Sequence, residues 1–423
     1  MMVSIKNSFR SFLSMISSHK LGALLLCTIA MSVILQLLLA FRLPLIWFGS
    51  VPGAGDEQVY VLQAYSLIFG KQAGGWALDS YNHIRSFFYP TILAGWLKLV
   101  LWVSQKGYVA PFSWSNSAPQ LVGGLSQIGT GVFYTRLFNI IFSACSIFLV
   151  YKLSSELYEN KKIAYISALL LGSNWLFLFW GSTSIADPAM IPFFLLSLLF
   201  VTMSLNRSNR KGFYALIAGI SLGFAFMIRF QSVILVLPVA IYYVIKYRKL
   251  LLNYVAGFAI ILFFQGVLDY LTWGHFLESP IAWFELDIIG VFNGGTGGAA
   301  WFTFFRLSAP PYYLFTVLPL IFGPCLWLVF FGIKKNWQSF LPIAIVLTYM
   351  GLLTTGLQVF RYLLPIIPLM CILMAKSYFY FNSKNKYMRY SGYFLIALSV
   401  IYGIWMIILL YLNPSHVSDM FFS

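Results

Sequence analysis

Apolar runs separated by short polar connectors fill most of this chain. A helix needs about 20 mostly apolar residues to cross the hydrocarbon core of a bilayer, and about 11 of the runs approach that length. They lie near residues 21–41, 134–151, 163–180, 186–204, 213–228, 231–246, 251–268, 313–331, 338–356, 361–378 and 391–412. The pattern predicts an all-α membrane protein with about 11 transmembrane helices.

Basic residues indicate how these helices are oriented. Most of the 27 Lys and Arg residues fall in connectors that one threading places on a single side, and the positive-inside rule assigns that side to the cytoplasm. These connectors carry Lys6, Arg10, Lys20, Lys152, Lys161, Lys162, Arg207, Arg210, Lys211, Lys246, Arg248, Lys249, Lys334, Lys335, Lys376, Lys384, Lys386 and Arg389. The threading predicts a cytoplasmic N-terminus and an extracytoplasmic C-terminus.

Residues 84–103 form a further apolar stretch that is long enough to span. Spanning would invert the later topology, against the positive-inside rule, and would place Lys98 near mid-bilayer at a cost of about 2.5–3.5 kcal/mol. We therefore expect an amphipathic helix in the outer interface, begun near Pro90. Two extracytoplasmic segments remain, residues 42–133 and 269–312, and the first is expected to be the catalytic loop.

Composition agrees with a membrane protein. The chain is 60% hydrophobic and 9% charged, with a mean hydropathy of +0.84, whereas soluble domains are about a quarter charged. The net charge of +16 follows from the cytoplasmic lysines and indicates contact with membrane lipid, not nucleic acid. No repeat or low-complexity linker is visible, so we assign residues 1–423 to one membrane domain. The four cysteines lie in apolar runs without metal-ligand spacing, which supports neither a disulfide framework nor a zinc site.

An acidic pair follows the first span directly. Asp56-Glu57 precedes apolar residues at helical spacing, which end at Gly70, so we expect Asp56 to be the N-cap of a helix. The helix dipole stabilises a carboxylate at this position, which suits a base that must be ionised at neutral pH. An Asp before an amphipathic helix is usually only a cap. Its place over the membrane, in a chain with few charges, makes it a candidate catalytic group.

The first outer segment contains a recognisable series of motifs. Asp56-Glu57 is followed by Gly74-Gly75-Trp76, by Ile84-Arg85-Ser86 and by Pro90. This order resembles the first lumenal loop of GT-C glycosyltransferases, and it is most similar to the lipid-phosphomannose-dependent mannosyltransferases of GPI-anchor and N-glycan precursor assembly. Later motifs follow the same order, namely Tyr134-Thr135-Arg136-Leu137, Asp269-Tyr270, Asn293-Gly294-Gly295, Ala309-Pro310-Pro311-Tyr312-Tyr313 and Arg361-Tyr362-Leu363-Leu364-Pro365.

Two departures from the family pattern concern the acceptor. Ala54-Gly55 stands where the family has His-Pro before the acidic pair, and Gln358-Val359-Phe360 replaces the His-Lys-Glu that usually precedes the late arginine. We therefore expect a bacterial relative, in the inner or plasma membrane, that acts on a different acceptor.

Arginine outnumbers lysine on the outer side, whereas lysine dominates inside. Guanidinium groups bind phosphate through two parallel hydrogen bonds and stay charged in apolar surroundings, which indicates a lipid phosphate as the outer ligand. The alternative is that each arginine only anchors the chain at the interface, and Arg42 and Arg306 fit this alternative best. The outer basic residues are Arg42, Arg85, Arg136, Arg229, Arg306, Arg361, Lys71, Lys98 and Lys106.

Together with these residues, the resemblance implies an inverting transfer of a hexose, mannose above others. The donor would be a polyprenyl-phosphate sugar, and the acceptor a hydroxyl on a lipid-linked, glycan or protein molecule. Asp56 would be the general base that removes the acceptor proton, and Glu57 would orient that base or bind the acceptor. Arg361, Arg85 and Arg229 would stabilise the charge on the departing phosphate.

Three further outer residues are second-tier candidates. Asp187 precedes Pro188 and is predicted to cap the span near 186–204, with the proline at the first helical position. Asp269 opens the second outer segment, and His83 is a lone histidine without the partners of a metal site. A monophosphate leaving group with arginine partners does not require a divalent ion, so we expect no metal and no other cofactor.

Two other functions compete with this one. A lipid or solute transporter or flippase would also be polytopic and basic inside, but it usually shows paired half-sequences and ionisable residues at mid-span, which are not evident here. An outer-face glycan polymerase or ligase would share the arginines. The position of Asp56-Glu57 directly after the first span favours the GT-C transferase.

Overall fold

The computed structural model describes residues 20–43, 56–69, 86–104, 112–115, 118–121, 124–207, 209–285, 318–328, 363–382 and 386–412, and the structural statements below concern this part of the chain. It is almost entirely helical, which confirms the predicted class; β1 (Phe112–Ser115) and β2 (Ala118–Leu121) pair in one antiparallel hairpin. The helices are α1 (Lys20–Arg42), α2 (Asp56–Phe69), α3 (Phe88–Ser104), α4 (Gly124–Tyr158), α5 (Lys161–Gly172), α6 (Trp175–Gly181), α7 (Ala186–Asn206), α8 (Lys211–Ile228), α9 (Val236–Lys246), α10 (Arg248–Trp273), α11 (Glu278–Trp283), α12 (Leu318–Phe322), α13 (Ile367–Asn382) and α14 (Lys386–Leu412), with 3₁₀ turns at Phe230–Leu235 and Gly323–Cys325.

Within the described residues, six helices are long and apolar enough to cross a membrane, or seven if the bent pair α5 and α6 is one span. The six are Gly22–Phe41, Val132–Tyr158, Ala186–Asn206, Lys211–Ile228, Arg248–Trp273 and Lys386–Leu412. Each coincides with a predicted span, so the protein is a multi-pass membrane protein. Residues 338–356 lie outside the described part, and the count of about 11 spans stays a prediction.

The predicted span near 163–180 is bent. α5 and α6 meet at an angle of 61°, where the Asn174 side chain accepts a hydrogen bond from Phe177 N at 3.0 Å and so starts a new helix. Its Nδ2 atom also donates to the carbonyl oxygen of Ile321 at 3.0 Å. A side chain that caps a new helix start competes with continuation of the preceding helix, which explains the bend.

The helix α3 has the predicted amphipathic character. Its 17 residues extend for roughly 25 Å, less than the hydrocarbon core of about 30 Å. Tyr89, Leu93 and Leu97 are fully buried at four-residue spacing, whereas Lys98 and Trp102 are exposed. One buried face is typical of a helix that lies along a surface. Its location in the outer interface stays a prediction.

The helices α8 and α10 approach each other closely through glycines. A Cβ atom at Gly219 would lie 1.9 Å from the carbonyl oxygen of Tyr254, and one at Gly223 would lie 2.5 Å from Ile261 Cβ. Small residues permit such backbone approach, a common basis of helix association in membranes. Because both contacts advance along both helices, α8 and α10 run parallel and end on the same side.

Candidate active site

The first turn of α2 carries the predicted base. The helix begins at Asp56 and ends at Phe69, as the sequence predicts. Asp56 is the first helical residue and not the N-cap that the sequence predicts, and its side chain lies outside the described part. Its neighbour Glu57 is only 5% exposed. The contacts of Glu57 therefore define where this turn lies.

Glu57 forms a buried ion pair with Arg136 of α4. Arg136 Nε lies 3.0 Å from Glu57 Oε1, and Arg136 Nη2 lies 3.2 Å from Glu57 Oε2, which is a parallel two-point contact. Arg136 Nη1 donates to the carbonyl oxygens of Ala40 and Leu43 at the end of α1, at 2.9 and 3.0 Å. Further hydrogen bonds of this kind are what make a buried charge pair tolerable. The pair ties the end of the first span to the start of α2.

An irregular segment, residues 183–185, joins α6 to α7 beside this ion pair. Ser184 N donates to Glu57 Oε1 at 2.7 Å, and Ser184 O accepts from the Tyr89 hydroxyl of α3 at 3.1 Å. The Ser184 and Thr135 hydroxyl oxygens are 2.5 Å apart. Thr135 donates its hydroxyl hydrogen to Val132 O at 2.7 Å, so Ser184 is the donor between the two hydroxyls.

Asn139 of α4 binds the carbonyls on either side of Ser184. Its Nδ2 donates to Thr183 O and Ile185 O, both at 2.6 Å. Its Oδ1 accepts from the Tyr89 hydroxyl at 3.2 Å. An amide NH₂ group has two hydrogens, so both donors of Asn139 are used. Side chains thereby bind all three carbonyl oxygens of residues 183–185, and non-helical backbone inside a membrane protein requires such partners.

The Tyr89 phenol lies close to two carboxylates. Burial raises the pKa of Tyr89 well above its ordinary value, and the Tyr60 hydroxyl and the charges of Glu57 and Asp187 raise it further. The hydroxyl therefore stays protonated at neutral pH. It remains a hydrogen-bond donor to residues 183–185.

Asp187 does not cap α7, so that prediction is wrong. The cap position is Ile185, which makes no side-chain capping hydrogen bond, and Pro188 is the third helical residue rather than the first. Asp187 Oδ1 instead accepts from Arg229 Nη2 at 3.0 Å, and both side chains are buried. A hydrogen bond between two charged groups is stronger than one to a backbone N–H, which explains the preference. Asp187 Oδ2 is buried without a hydrogen-bond partner among the described residues.

Asp269 anchors another buried network at the end of α10. Its Oδ1 accepts from Gln265 Nε2 at 2.7 Å and from the Ser279 hydroxyl at 2.8 Å, and its Oδ2 accepts from Ser279 N at 3.1 Å. Gln265 Oε1 accepts from the Ser86 hydroxyl at 2.7 Å. Ser86 follows Arg85 in the sequence. The network therefore joins the start of α3 to the end of α10 and to α11.

Three predicted site residues, Arg85, His83 and Arg361, lie outside the described residues, and their roles stay predictions. In the described ranges, no group of three or more His, Cys, Asp or Glu side chains could hold a metal ion. The expectation of a metal-free reaction likewise stays a prediction. The four cysteines, all of them described, are free thiols.

Sequence reasoning missed the partners of the predicted carboxylates. Arg136 appears in the sequence analysis as an outer arginine and as part of one motif of the resemblance, without a partner, and Tyr89, Asn139 and Gln265 have no role there. A signal was present for two of them, because Arg136 and Asn139 lie three residues apart in an apolar run and so share a helix face. Polar side chains on one face of a span usually have a partner or a function.

Solved structures with a similar fold are GT-C glycosyltransferases. An Archaeoglobus fulgidus oligosaccharyltransferase in complex with Zn and sulfate has a TM-score of 0.58 at 15% identity, over 91% of this chain and 52% of that chain. ArnT from Cupriavidus metallidurans bound to undecaprenyl phosphate has a TM-score of 0.57 at 12% identity, over 92% and 72%. Archaeoglobus fulgidus AglB in complex with an inhibitory peptide and a dolichol-phosphate has a TM-score of 0.52 at 16% identity, over 94% and 56%. At these identities the similarity shows the fold alone, and this chain spans about half the length of the oligosaccharyltransferase.

The described part of the chain therefore has a fold similar to that of GT-C membrane glycosyltransferases. The model of the Alg9-like mannosyltransferase family matches residues 33–420. Because this match covers nearly the whole chain, the protein belongs to the Alg9-like mannosyltransferase family. No curated protein sequence matches it. The resemblance found in the motifs is confirmed, and it favours a transferase over a transporter.

Proposed function

We propose that this protein transfers mannose from a polyprenyl-phosphate donor to an acceptor hydroxyl, at the extracytoplasmic face of a bacterial plasma membrane. Family membership supports the sugar. Structures of similar fold that hold undecaprenyl phosphate or a dolichol-phosphate support a lipid-borne donor. The observation that carries the proposal is the Glu57–Arg136 pair, which fixes the first turn of α2, and with it the backbone of Asp56, beside the end of the first span.

The reaction requires a base on one side of the sugar and a charge acceptor on the other. Asp56 would take the proton of the acceptor hydroxyl as its oxygen attacks the anomeric carbon. The bond from that carbon to the phosphate oxygen would break on the opposite face, which inverts the configuration and releases polyprenyl phosphate. A first-turn carboxylate suits this role because the helix dipole favours its ionised form.

Glu57 is assigned a positioning role instead of contact with the acceptor. Its two oxygens already accept hydrogen bonds from Arg136 and Ser184 N, and it is buried. Of its two predicted roles, orientation of the base is therefore favoured over acceptor binding.

Arginines would stabilise the leaving phosphate. Arg361 and Arg85 are the main proposed ligands, because a guanidinium matches phosphate geometry with two parallel hydrogen bonds. Arg229 is the third, although a phosphate would have to compete there with Asp187. The acceptor would be a lipid-linked glycan, another glycan or a protein. No metal ion or other cofactor is included.

Donor specificity tests the proposal directly. Purified protein in lipid nanodiscs should transfer label from polyprenyl-phosphomannose in the presence of EDTA and should not use GDP-mannose. Arg361→Lys should lower that rate sharply although the charge is kept, because an ammonium cannot form the two-point contact. Activity with GDP-mannose alone, or complete inhibition by EDTA, would contradict the proposal.

A further inference from the structure

Residues 183–185 lie between the two buried ion pairs. Ser184 N binds Glu57, the partner of Arg136, and Asp187 follows Ile185 by two residues and binds Arg229. A displacement of this segment would therefore move Glu57 of the first pair. It would also move the start of α7, which carries Asp187 of the second pair.

Two side chains of α4 hold this segment in place. The Thr135 hydroxyl oxygen accepts a hydrogen bond from the Ser184 hydroxyl, and Asn139 donates hydrogen bonds to the carbonyls of Thr183 and Ile185. Both α4 side chains are completely buried. Asn139 lies one helical turn from both Thr135 and Arg136, so a single turn of α4 carries the ion-pair partner of Glu57 and both holders of the segment.

We infer that Thr135 and Asn139 are positioning residues for the transfer reaction, which act through residues 183–185 on both Glu57 and Asp187. This inference rests on the proposed function, because it is the Asp56 turn that Glu57 holds. Neither residue is assigned a contact with substrate. They contribute by keeping the base in position. A displacement of the base by about 1 Å can lower the reaction rate by about a hundredfold.

The hydroxyl group of Thr135 can be removed by a substitution that changes the shape of the side chain little. Thr135→Val keeps the branched shape but leaves the Ser184 hydroxyl without its acceptor, whereas Thr135→Ser keeps the hydroxyl. A matched control is Ser167→Ala in α5. The Ser167 hydroxyl is also buried, donates to the carbonyl of Ile163 at 2.9 Å and lies 3.1 Å from the Ser154 hydroxyl.

The experiment compares turnover, donor KM and thermal midpoint for these three variants. Thr135→Val should lower kcat by about tenfold to a hundredfold with little change in donor KM, because the base is misplaced, whereas the main proposed phosphate ligands, Arg361 and Arg85, are not among the residues that the segment is proposed to position. Thr135→Ser should recover most of the turnover. Ser167→Ala should keep kcat within about twofold, since it is distant from the site.

A loss of kcat in Thr135→Val that is no greater than in Ser167→Ala, at a similar loss of thermal midpoint, would overturn the inference. Asn139→Asp provides a second test, because a carboxylate cannot donate to the carbonyls of Thr183 and Ile185, and it should lower kcat at least as much. Asp56→Asn is measured in parallel. If Asp56→Asn stays active, the proposed base fails, while Thr135→Val still tests the positioning through Asp187.

Discussion

At the scale of single residues, the site contains a proposed reacting group, Asp56, and other groups that hold it in position. Asp56 is the first residue of α2, while its neighbour Glu57 is bound to Arg136 and Ser184. The two adjacent carboxylates are therefore proposed to serve different purposes, Asp56 as the base and Glu57 as the residue that positions it. Substitutions at the two positions should have different consequences.

Asp56→Asn should abolish transfer with little change in thermal midpoint. Loss of one carboxylate charge from the first turn of a helix costs only about 0.3–1 kcal/mol, whereas loss of a general base lowers the rate by about a hundredfold or more. Initial rates and melting curves in detergent measure both effects, and Asp79→Asn in the same loop should be milder. Turnover above about a tenth of wild type would exclude Asp56 as the base.

Glu57→Gln should lower the thermal midpoint strongly, in contrast to Asp56→Asn. It leaves the buried Arg136 charge uncompensated, which costs about 3–5 kcal/mol. The control is Glu156→Gln, whose ion pair with Arg207 is partly exposed, with side chains 22% and 47% accessible, and contributes about 0–1 kcal/mol. Equal shifts in thermal midpoint for the two variants would contradict a buried pair at Glu57.

Whole elements place these residues by packing. The parallel helices α8 and α10 approach closely because their glycines admit backbone contact, and their C-terminal ends lead to Arg229 and to the Asp269 network. The bend at Asn174 sets the direction of α6, so that residues 183–185 beyond its end contact α3 and α4. Helix packing, more than any single motif, brings the polar groups of the site together.

Gly219→Ala should separate α8 from α10. The added Cβ would lie 1.9 Å from the carbonyl oxygen of Tyr254, so a backbone must move, and overpacking of this kind costs about 1–3 kcal/mol. Thermal midpoint and the yield of monodisperse protein report the effect. Gly95→Ala in α3 is the control, because its Cβ would meet nothing within 4 Å and alanine favours a helix by about 0.5–1 kcal/mol. The glycine contact would be refuted if both variants were equally stable.

The orientation of the whole molecule in the membrane decides on which face the proposed reaction occurs. The site lies where the end of α1, the start of α2 and residues 183–185 meet. With a cytoplasmic N-terminus, this end of the bundle faces outward. The face on which the proposed transfer of mannose occurs therefore depends on the topology of the whole chain.

An alkaline phosphatase fused after residue 423 should be active, and a fluorescent protein fused there should be dark, if the C-terminus is extracytoplasmic. The reason is the odd number of predicted spans after a cytoplasmic start, with α3 in the interface. A fusion in the connector at residues 207–211 should give the opposite pattern and serves as the control. A reversed result at the C-terminus would mean that α3 spans and that the assigned face is wrong.

The sequence by itself determined the helical membrane class, the described spans and the bounds of α2. These features follow from local properties, since an apolar run of sufficient length must be helical in lipid and the apolar spacing together with Gly70 marks the helix after Asp56. The motif order also pointed to the family that the whole-chain match confirms.

Only the tertiary structure decided which polar groups meet. Arg136 is 79 residues from Glu57, and Arg229 is 42 residues from Asp187. No local propensity encodes such pairs, because they depend on which helix faces pack together and on the need of every buried charge for a partner. The same need overrode the cap predicted at Asp187 and gave Asn139 its place beneath residues 183–185.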